Sequence, residues 1–305
     1  MDKCPLVSIC SITYNHALYI RQCLDSMLMQ QTSFKFEIII NDDCSTDGTT
    51  EILWEYEAKY PEIVRPIYHK ENLYQKGQRG FFNKFVFPKA RGKYMALCEG
   101  DDYWTDPLKL QKQVDFLEEH PDYALCFHNA TVHYEGKEAH DHLFADLQSK
   151  EYDKQTLLKS WLAPTASFVL RKRVLDSSYY QQVMLSKKLA YGDLPLLLSA
   201  SYCGKIYGMS EPMSVYRKHI GGVMQTHASI PIKLCTHQIE CKRIFEDDVK
   251  PIFNELIGRH ASIAMSWMRH KSMPTAFKLW WLAFRNAPTD SIKWTFLYFK
   301  KGIKH

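Results

Sequence analysis

Acidic side chains are clustered at three points of this chain where the pattern of apolar residues changes. Asn-Asp-Asp-Cys-Ser-Thr-Asp-Gly at 41–48 follows the apolar run 36–40, and Glu-Gly-Asp-Asp at 99–102 follows the run 94–98. At the third point a single acid, Asp193, opens a leucine-rich segment. Carboxylates are costly to bury and are rarely clustered without a counter-charge. Because oxygen-rich sites suit Mg²⁺ or Mn²⁺, the sequence predicts a divalent metal site, and the ligand that most often brings such a metal is a diphosphate.

The first part of the chain alternates strand-like and helix-like segments. Periodicity predicts strands at 6–13, 36–40, 64–69 and 94–98, and helices at 18–29, 49–60, 80–89 and 107–119. Such alternation indicates a parallel, doubly wound sheet. Ligands of these sheets bind beyond the carboxyl ends of the strands, so the acids at 42–43 and 101–102 are predicted to meet there.

Beyond Tyr123 the alternation is looser. Short strands are predicted at 124–127, 131–134, 166–170 and 205–208, and a helix beginning at Asp193. From about residue 230 onward the pattern is helical. We therefore expect two parts, a first domain at 1–228 and a helical, basic, tryptophan-rich C-terminal region at 229–305.

Positive charge is concentrated in the C-terminal region. Residues 231–305 hold 13 Lys/Arg and 6 Asp/Glu, a balance of +7, which leaves about −2 for the rest of a chain whose net charge is +5. Phe277, Trp280, Trp281 and Phe284 share one helical face. Two interpretations stay open, since this region could pack against the first domain or lie with its basic face on an anionic membrane.

Composition indicates an ordinary globular protein, with 46% hydrophobic and 24% charged residues. No apolar stretch is long enough to cross a bilayer, and the N-terminus lacks the pattern of a secretion signal. The nine cysteines are scattered and have no zinc-site spacing. We expect a reduced, cytoplasmic protein acting at the inner face of the plasma membrane, without a nucleic-acid partner.

Several pieces of the sequence together resemble the family 2 inverting glycosyltransferases. In chain order they are Val-Ser-Ile at 7–9 leading to Thr-Tyr-Asn at 13–15, the acidic stretch 41–49, Ala-Arg-Gly-Lys-Tyr at 90–94 leading to 99–102, Gly-Asp-Leu-Pro-Leu at 192–196, and Val-Tyr-Arg-Lys-His at 215–219. Each piece is weak alone, but their order and spacing are specific over residues 5–225. The resemblance implies the GT-A fold, an α/β structure with a doubly wound mixed sheet flanked by helices, here with a C-terminal helical extension.

The resemblance also implies an activity. The protein would be a metal-dependent, inverting glycosyltransferase of the hexosyl or N-acetylhexosaminyl class, with Mn²⁺ or Mg²⁺ as cofactor. It would move a sugar from a nucleotide-diphosphate donor, first of all a UDP-sugar, to a hydroxyl of a glycan or lipid-linked acceptor in surface polysaccharide synthesis. Asp193 would be the general base that deprotonates this hydroxyl.

The remaining roles are assigned by position in the matching motifs, except those of Arg79 and Lys84, which lie outside the motifs. Asp101, Asp102 and His219 would hold the metal, and Asp43 would accept a hydrogen bond from a uracil or guanine N–H. The expected nucleotide-binding residues are Ile12, Thr13, Tyr14, Asn15, Asp42, Asp43, Ser45, Arg79, Lys84, Glu99 and Asp101.

For three basic residues and one tryptophan, a structural role explains the residue as simply as a functional role does. Arg79, Lys84 and Arg217 are candidate diphosphate contacts, or else part of a solvated basic surface. Trp104 could stack on the acceptor sugar, or else pack in the core.

The chain departs from the family pattern at three positions. Glu99 stands where Asp is usual, Cys44 replaces a glycine, which restricts the loop if a positive φ is needed there, and Gly192 replaces a second acid. Glu99 and Cys44 leave room for a nucleotide-sugar- or carbohydrate-binding protein without turnover. A hydrolase with two carboxylates is a third interpretation, but it gives no reason for the acids to follow parallel strands.

Overall fold

The computed structural model describes residues 4–219, 230–270 and 273–301. The chain forms two compact units. The first comprises 1–153, 160–180 and 197–220, and the second comprises 154–159, 181–196 and 221–305. The expected boundary between residues 228 and 229 lies outside the described residues, so that division stays a prediction.

The first unit is built on one mixed sheet. Its strands are β1 Val7–Thr13, β2 Phe36–Asp42, β3 Val64–Tyr68, β4 Tyr94–Leu97, β5 Tyr103–Trp104, β6 Tyr123–Tyr134, β7 His142–Leu143, β8 Lys150–Glu151, β9 Val169–Arg171 and β10 Lys205–Lys218. The strand order is β3-β2-β1-β4-β9-β6-β10-β5, with β7 paired to β6 and β8 paired to β10.

The N-terminal half of this sheet is parallel, as predicted. β1 pairs with β2 and β4, and β2 pairs with β3, all in parallel. The helices α1 Ile20–Leu28, α2 Thr49–Lys59 and α3 Lys109–Glu119 connect or follow these strands. β1 and β2 are buried along almost their whole length, which fits strands that are covered on both faces.

The other half of the sheet mixes directions, because β9 runs antiparallel to both β4 and β6 while β10 is parallel to β6. The two strands predicted at 124–127 and 131–134 are one strand, β6. The polar pair His128-Asn129 interrupts its apolar pattern, yet both side chains are buried and hydrogen-bonded to carbonyl oxygens. β10 is likewise far longer than predicted, since it continues past Ser-Glu-Pro at 210–212 through irregularities in its register with β6.

The segment 80–89, predicted as a helix, is helical only in short turns. A π turn at Phe82–Val86 is followed by a 3₁₀ turn at Phe87–Lys89. Pro88 has no N–H to donate, which limits how far a regular helix can extend here.

The second unit is helical, as expected. It contains α4 Lys154–Lys159, α7 Ile230–Ile244, α8 Lys250–His270, α9 Met273–Asn286 and α10 Pro288–Lys301, whereas α5 Ser178–Leu185 and α6 Asp193–Cys203 belong in part to each unit. α8 and α10 approach closely, since a Cβ at Gly258 would lie 2.6 Å from the Cβ of Asp290. Among the helices of the described residues, none combines the length and the apolar composition that crossing a bilayer requires.

Candidate metal centre

The acidic groups lie at neighbouring strand ends, as the sequence predicts. Thr13 at the end of β1 is the register partner of Asp42 at the end of β2. Beyond β4 the chain stays beside β1, because the N–H of Gly100 donates to the carbonyl oxygen of Ile12 at 2.9 Å. A Cβ on Gly100 would lie 2.7 Å from Thr13 Oγ1, so this close approach needs glycine. One edge of the sheet therefore carries both groups.

The loops after β1 and β2 are tied to each other by polar side chains. The N–H of Asn15 donates to Ser45 Oγ, and Asn15 Oδ1 accepts from the N–H of Thr46, both at 2.9 Å. Asp42 accepts from the N–H and hydroxyl of Ser45 and from the hydroxyl of Thr50. Asn15, Asp42 and Ser45, three of the predicted nucleotide-binding residues, thus also maintain the shape of these loops.

Cys44 occupies the left-handed region of the backbone, with φ of +63°. A side chain in this conformation costs about 1–2 kcal/mol relative to the right-handed region. The loop therefore keeps the backbone shape that the family's glycine allows, although a cysteine replaces it.

Asp43 holds a neighbouring loop through both of its carboxylate oxygens. They accept the N–H groups of Leu73 and Tyr74, each at 2.9 Å. Each oxygen keeps a free lone pair for a base N–H, so the predicted contact of Asp43 with the nucleotide stays a prediction. Arg79 is exposed and places its guanidinium 3.9 Å from the ring centre of Tyr74.

The other expected nucleotide contacts lie nearby or at the surface. Ile12, Tyr14 and Glu99 are half-buried beside the strand ends, Thr13 is buried, and Lys84 is exposed in the π turn. Their predicted contacts with the nucleotide stay predictions.

Asp101 lies between two histidines. Its Oδ2 is 3.1 Å from Nε2 of His219 and 3.9 Å from Nε2 of His16. One ligand atom from each of the three residues lies within 4.8 Å of the others. Burial alone raises the pKa of Asp101, but the hydrogen bond from His219 and the electrostatic interactions with His16 and His219 outweigh it, so this pKa lies below its ordinary value.

His16 was missed by the sequence prediction, although it directly follows Thr-Tyr-Asn at 13–15. Its carbonyl oxygen accepts the N–H groups of Tyr19 and Ile20 at the entry to α1, and its Nδ1 lies 3.2 Å from Thr13 Oγ1. Nε2 is therefore the atom left for Asp101. Burial lowers the pKa of His16 despite the nearby Asp101 carboxylate, which favours the neutral imidazole that binds metal ions.

Asp102 is buried, with 2% of its surface exposed. Its Oδ1 accepts the backbone N–H of Arg217 at 2.9 Å, whereas its Oδ2 has no hydrogen-bond partner among the described residues. Burial, and then the negative charges of Asp101 and Glu99, raise the pKa of Asp102 well above its ordinary value. A cation at this position would relieve that repulsion, and the predicted role of Asp102 as a metal ligand stays a prediction.

Arg217 positions the turn that carries Asp101. Its Nε–H donates to the carbonyl oxygen of Asp101 at 2.7 Å, and its other guanidinium nitrogens donate to Glu135 and Gln22. The group also lies 4.8 Å from the ring centre of Tyr19. Since the side chain is buried and each of its three guanidinium nitrogens donates to a protein group, the structure indicates a positioning role rather than a diphosphate contact.

We expect Arg217→Lys to lower the free energy of unfolding by about 1–3 kcal/mol, because lysine keeps the charge but cannot bond Asp101, Glu135 and Gln22 together. We also expect weaker Mn²⁺ binding, measured by calorimetry, because the Asp101 turn loses its support. The matched control is Arg21→Lys, in an exposed ion pair with Glu55, which should change stability by about 0.5 kcal/mol or less. Equal effects of both substitutions would contradict the positioning role.

Trp104 does not present its ring to a substrate, so the expected acceptor contact is corrected. Only 1% of its surface is exposed, and its indole N–H donates to the carbonyl oxygen of Ala166 at 2.9 Å. The buried Lys109 ammonium lies 3.8 Å from the ring centre. The core-packing alternative holds because the ring itself is buried and its indole N–H is bonded to the protein.

Asp193 is the first residue of α6 and belongs to the second unit. Its Oδ1 accepts the N–H of Leu194 at 2.8 Å. Burial raises the pKa of Asp193 to about 6, which is close to the range in which a general base works best. The role of Asp193 as the base stays a prediction.

The donor set formed by His16, Asp101 and His219 fits a divalent transition metal. Imidazole nitrogens suit transition-metal ions better than Mg²⁺, which prefers oxygen ligands. The orphaned Oδ2 of the buried Asp102 is one more oxygen close to this group in sequence. The residues present are therefore compatible with a bound metal ion.

Comparison with known proteins identifies the family. The model of glycosyl transferase family 2 matches residues 8–178, and the chain belongs to this family. An uncharacterized protein of Mycobacterium tuberculosis is 42% identical over 218 residues, which cover 71% of this chain and 60% of the relative. The chain thus spans about 60% of the length of that relative. The putative teichuronic acid biosynthesis glycosyltransferase TuaG of Bacillus subtilis is 41% identical over 115 residues, 38% of this chain and 43% of TuaG.

Solved structures support the GT-A fold. TarS of S. aureus, residues 1–349 in complex with UDP-GlcNAc, has a TM-score of 0.61 at 16% identity and matches 98% of this chain and 93% of TarS. The mannosyltransferase PcManGT of Pyrobaculum calidifontis, in complex with GDP-Man and Mn²⁺, has a TM-score of 0.53 at 15% identity over 97% of this chain and 81% of PcManGT. The predicted α/β fold with a mixed sheet and a helical C-terminal region is confirmed.

Proposed function

We propose that this chain is a metal-dependent, inverting glycosyltransferase that moves a hexosyl or N-acetylhexosaminyl group from a UDP-sugar to a hydroxyl of a glycan or lipid-linked acceptor. The observation that carries the proposal is the convergence of Asp101, His16 and His219 beside Asp102 at the carboxyl edge of the parallel strands. Support for a nucleotide-sugar donor comes from the ligands named for TarS and PcManGT. Support for polysaccharide synthesis comes from the name of TuaG.

His16, Asp101 and His219 would hold the metal ion, with Mn²⁺ favoured over Mg²⁺ by the two imidazoles. When bound, such an ion would stabilise the negative charge of the leaving diphosphate as a Lewis acid. The chain's own residues have separate tasks. Arg217 orients the Asp101 turn, and Asp43 holds the loop at 73–74 beside the expected position of the base.

Asp193 would remove the proton from the acceptor hydroxyl. Its raised pKa allows it to accept a proton at neutral pH with more driving force than an ordinary aspartate. In-line attack by the hydroxyl would invert the anomeric configuration. We place the reaction at the cytoplasmic face of the plasma membrane, and the odd number and scattered positions of the nine cysteines fit a reducing compartment.

The test is a release assay with UDP-glucose, UDP-galactose, UDP-GlcNAc and GDP-mannose, each with Mn²⁺, with Mg²⁺ or with a chelator. We expect slow nucleotide release from one UDP-sugar, faster with Mn²⁺ than with Mg²⁺ and absent with the chelator. Donor binding by calorimetry without release, across varied glycan acceptors, would contradict the proposal and support the non-catalytic binding protein. A product that retains the donor's anomeric configuration in NMR couplings would contradict inversion.

A further inference from the structure

The last two helices carry the same pattern of apolar and basic residues. Each has three large apolar side chains at i, i+4 and i+7, and a basic residue directly after the first and after the third. On α9 these are Phe277, Trp281 and Phe284 with Lys278 and Arg285, and on α10 they are Ile292, Phe296 and Phe299 with Lys293 and Lys300.

These rows are on the outer faces of the helices. Phe277, Trp281, Ile292, Phe296 and Phe299 have between 47% and 66% of their surface exposed, and the four basic residues are exposed as well. The inward faces are formed by other residues, including the fully buried Ala276, Leu279, Ala283 and Ser291. The exposed rows are thus additional to the apolar faces that build the core of the second unit.

Helix geometry brings the two rows together. α9 and α10 are joined through Ala287. The indole N–H of Trp280 donates to Thr295 Oγ1 at 3.0 Å, and these two residues lie at similar distances along the chain before and after Ala287. α10 therefore folds back along α9. The two helices touch at Trp280 and Thr295. In such an antiparallel pair the next residue on each helix, Trp281 or Phe296, points to the same side of the pair.

The basic residues then lie outside the apolar rows. On an α-helix each residue is rotated by about 100° from the one before, so Lys278 and Lys293 lie farther from the helix contact than Phe277 and Ile292 do. The result is an apolar ridge, made of the six apolar residues above, with two basic rows, one along each outer edge.

This arrangement matches an anionic lipid surface. Aromatic and aliphatic side chains enter the headgroup and acyl boundary, while flanking lysines and arginines contact anionic headgroups. Across 273–301 the only acid is Asp290, which faces Gly258 of α8. A second copy of the chain is a poorer partner, because its basic rows would meet these basic rows.

We propose that the apolar ridge of α9 and α10 inserts into the interface of an anionic membrane, with its basic rows on the lipid headgroups. This inference extends the membrane location in the proposed function and rests on it for its biological meaning, but its test needs no sugar transfer.

The experiment is sedimentation of the full chain with vesicles of phosphatidylcholine, with or without phosphatidylglycerol. We expect binding to the vesicles with phosphatidylglycerol, and weaker binding as salt is added. Phe277→Ser with Phe296→Ser should weaken binding about tenfold or more through lost apolar burial. Lys278→Glu with Lys293→Glu should also weaken it about tenfold or more, because each basic residue near the surface contributes to the attraction.

The matched control for the apolar change is Trp54→Ser, and that for the charge change is Lys59→Glu, both exposed on α2 of the first unit. Neither control should change vesicle binding. Three results would each overturn the proposal. They are failure to sediment with any vesicle, equal losses of binding in the controls, and self-association without lipid that is abolished by Phe277→Ser with Phe296→Ser. The lysine variants change only exposed side chains, so they keep the test decisive if the phenylalanine variants unfold. Unchanged nucleotide release without lipid in all variants would show that the reaction and the membrane contact are independent.

Discussion

Replacing Asp101 with asparagine should lower nucleotide release from the donor by about 10²–10³-fold, and Mn²⁺ affinity by about tenfold or more. Asparagine keeps the size of the side chain but loses the charge that lies 3.1 Å from His219 and 3.9 Å from His16. A loss of several kcal/mol in the stabilisation of the leaving group corresponds to a rate loss of this size. The rate is measured with the UDP-sugar that the release assay identifies, and the affinity by calorimetry with Mn²⁺ alone.

The control for this change is Asp115→Asn, on the exposed face of α3, where the carboxylate contacts Gln111. Release and Mn²⁺ affinity should both stay at the level of the unchanged protein. The metal assignment fails if Asp101→Asn binds Mn²⁺ normally while it remains folded.

Replacing Asp193 with asparagine should lower kcat for transfer to an acceptor by about 10²–10⁴-fold, because asparagine cannot take the proton of the hydroxyl. Donor binding and Mn²⁺ affinity should not change, since these belong to the residues around Asp101. In the unchanged protein kcat should rise with pH through about 6, because only the ionised carboxylate is active. The asparagine variant should lack this step.

The same raised pKa has a consequence for stability. The folded protein holds the proton of Asp193 more tightly than the unfolded chain does. The ionised carboxylate therefore begins to destabilise the fold when the pH exceeds 3.8, the pKa of Asp193 in the unfolded chain. The destabilisation is complete above its folded pKa of about 6. Asp193→Asn should therefore raise the free energy of unfolding at pH 8 and leave it almost unchanged at pH 3.5. Partial exposure of the side chain limits the gain to about 1–2 kcal/mol.

Asp247→Asn is the matched control in the same unit, since 91% of that side chain is exposed. It should alter neither kcat nor the shape of the pH profile. A full kcat in Asp193→Asn, or an unchanged rise through pH 6, would exclude Asp193 as the base.

The parallel half of the fold could be predicted because its sequence pattern is regular. β1, β2 and β4 are short and largely apolar, β2 and β4 lead directly to acids, and α1 and α3 have clear apolar faces. The half with mixed strand directions could not, because polar residues inside β6 and β10 make long strands resemble short ones. His128 and Asn129 are buried through hydrogen bonds to carbonyl oxygens that no local pattern reveals.

The candidate site was predictable only where a motif marks it. Asp101, Asp102 and His219 are marked by the motifs, whereas His16 has a local signal only in its position after Thr-Tyr-Asn. Glu135 and Gln22 hold Arg217 from distant parts of the chain, and the Glu135 contact depends on the pairing of β6 with β10. Trp104 was ambiguous because a tryptophan near an acidic turn can bind a sugar or fill a core, and only its burial decides between them.

The most direct test of the account is a crystal structure with UDP and Mn²⁺, with anomalous scattering used to locate the ion. We predict an anomalous peak within bonding distance of Asp101, His16 and His219, with the diphosphate of UDP as a further ligand. A Mn²⁺ ion bound elsewhere, or UDP bound with no ion at Asp101, would contradict the central claim that these three residues hold the metal of the donor.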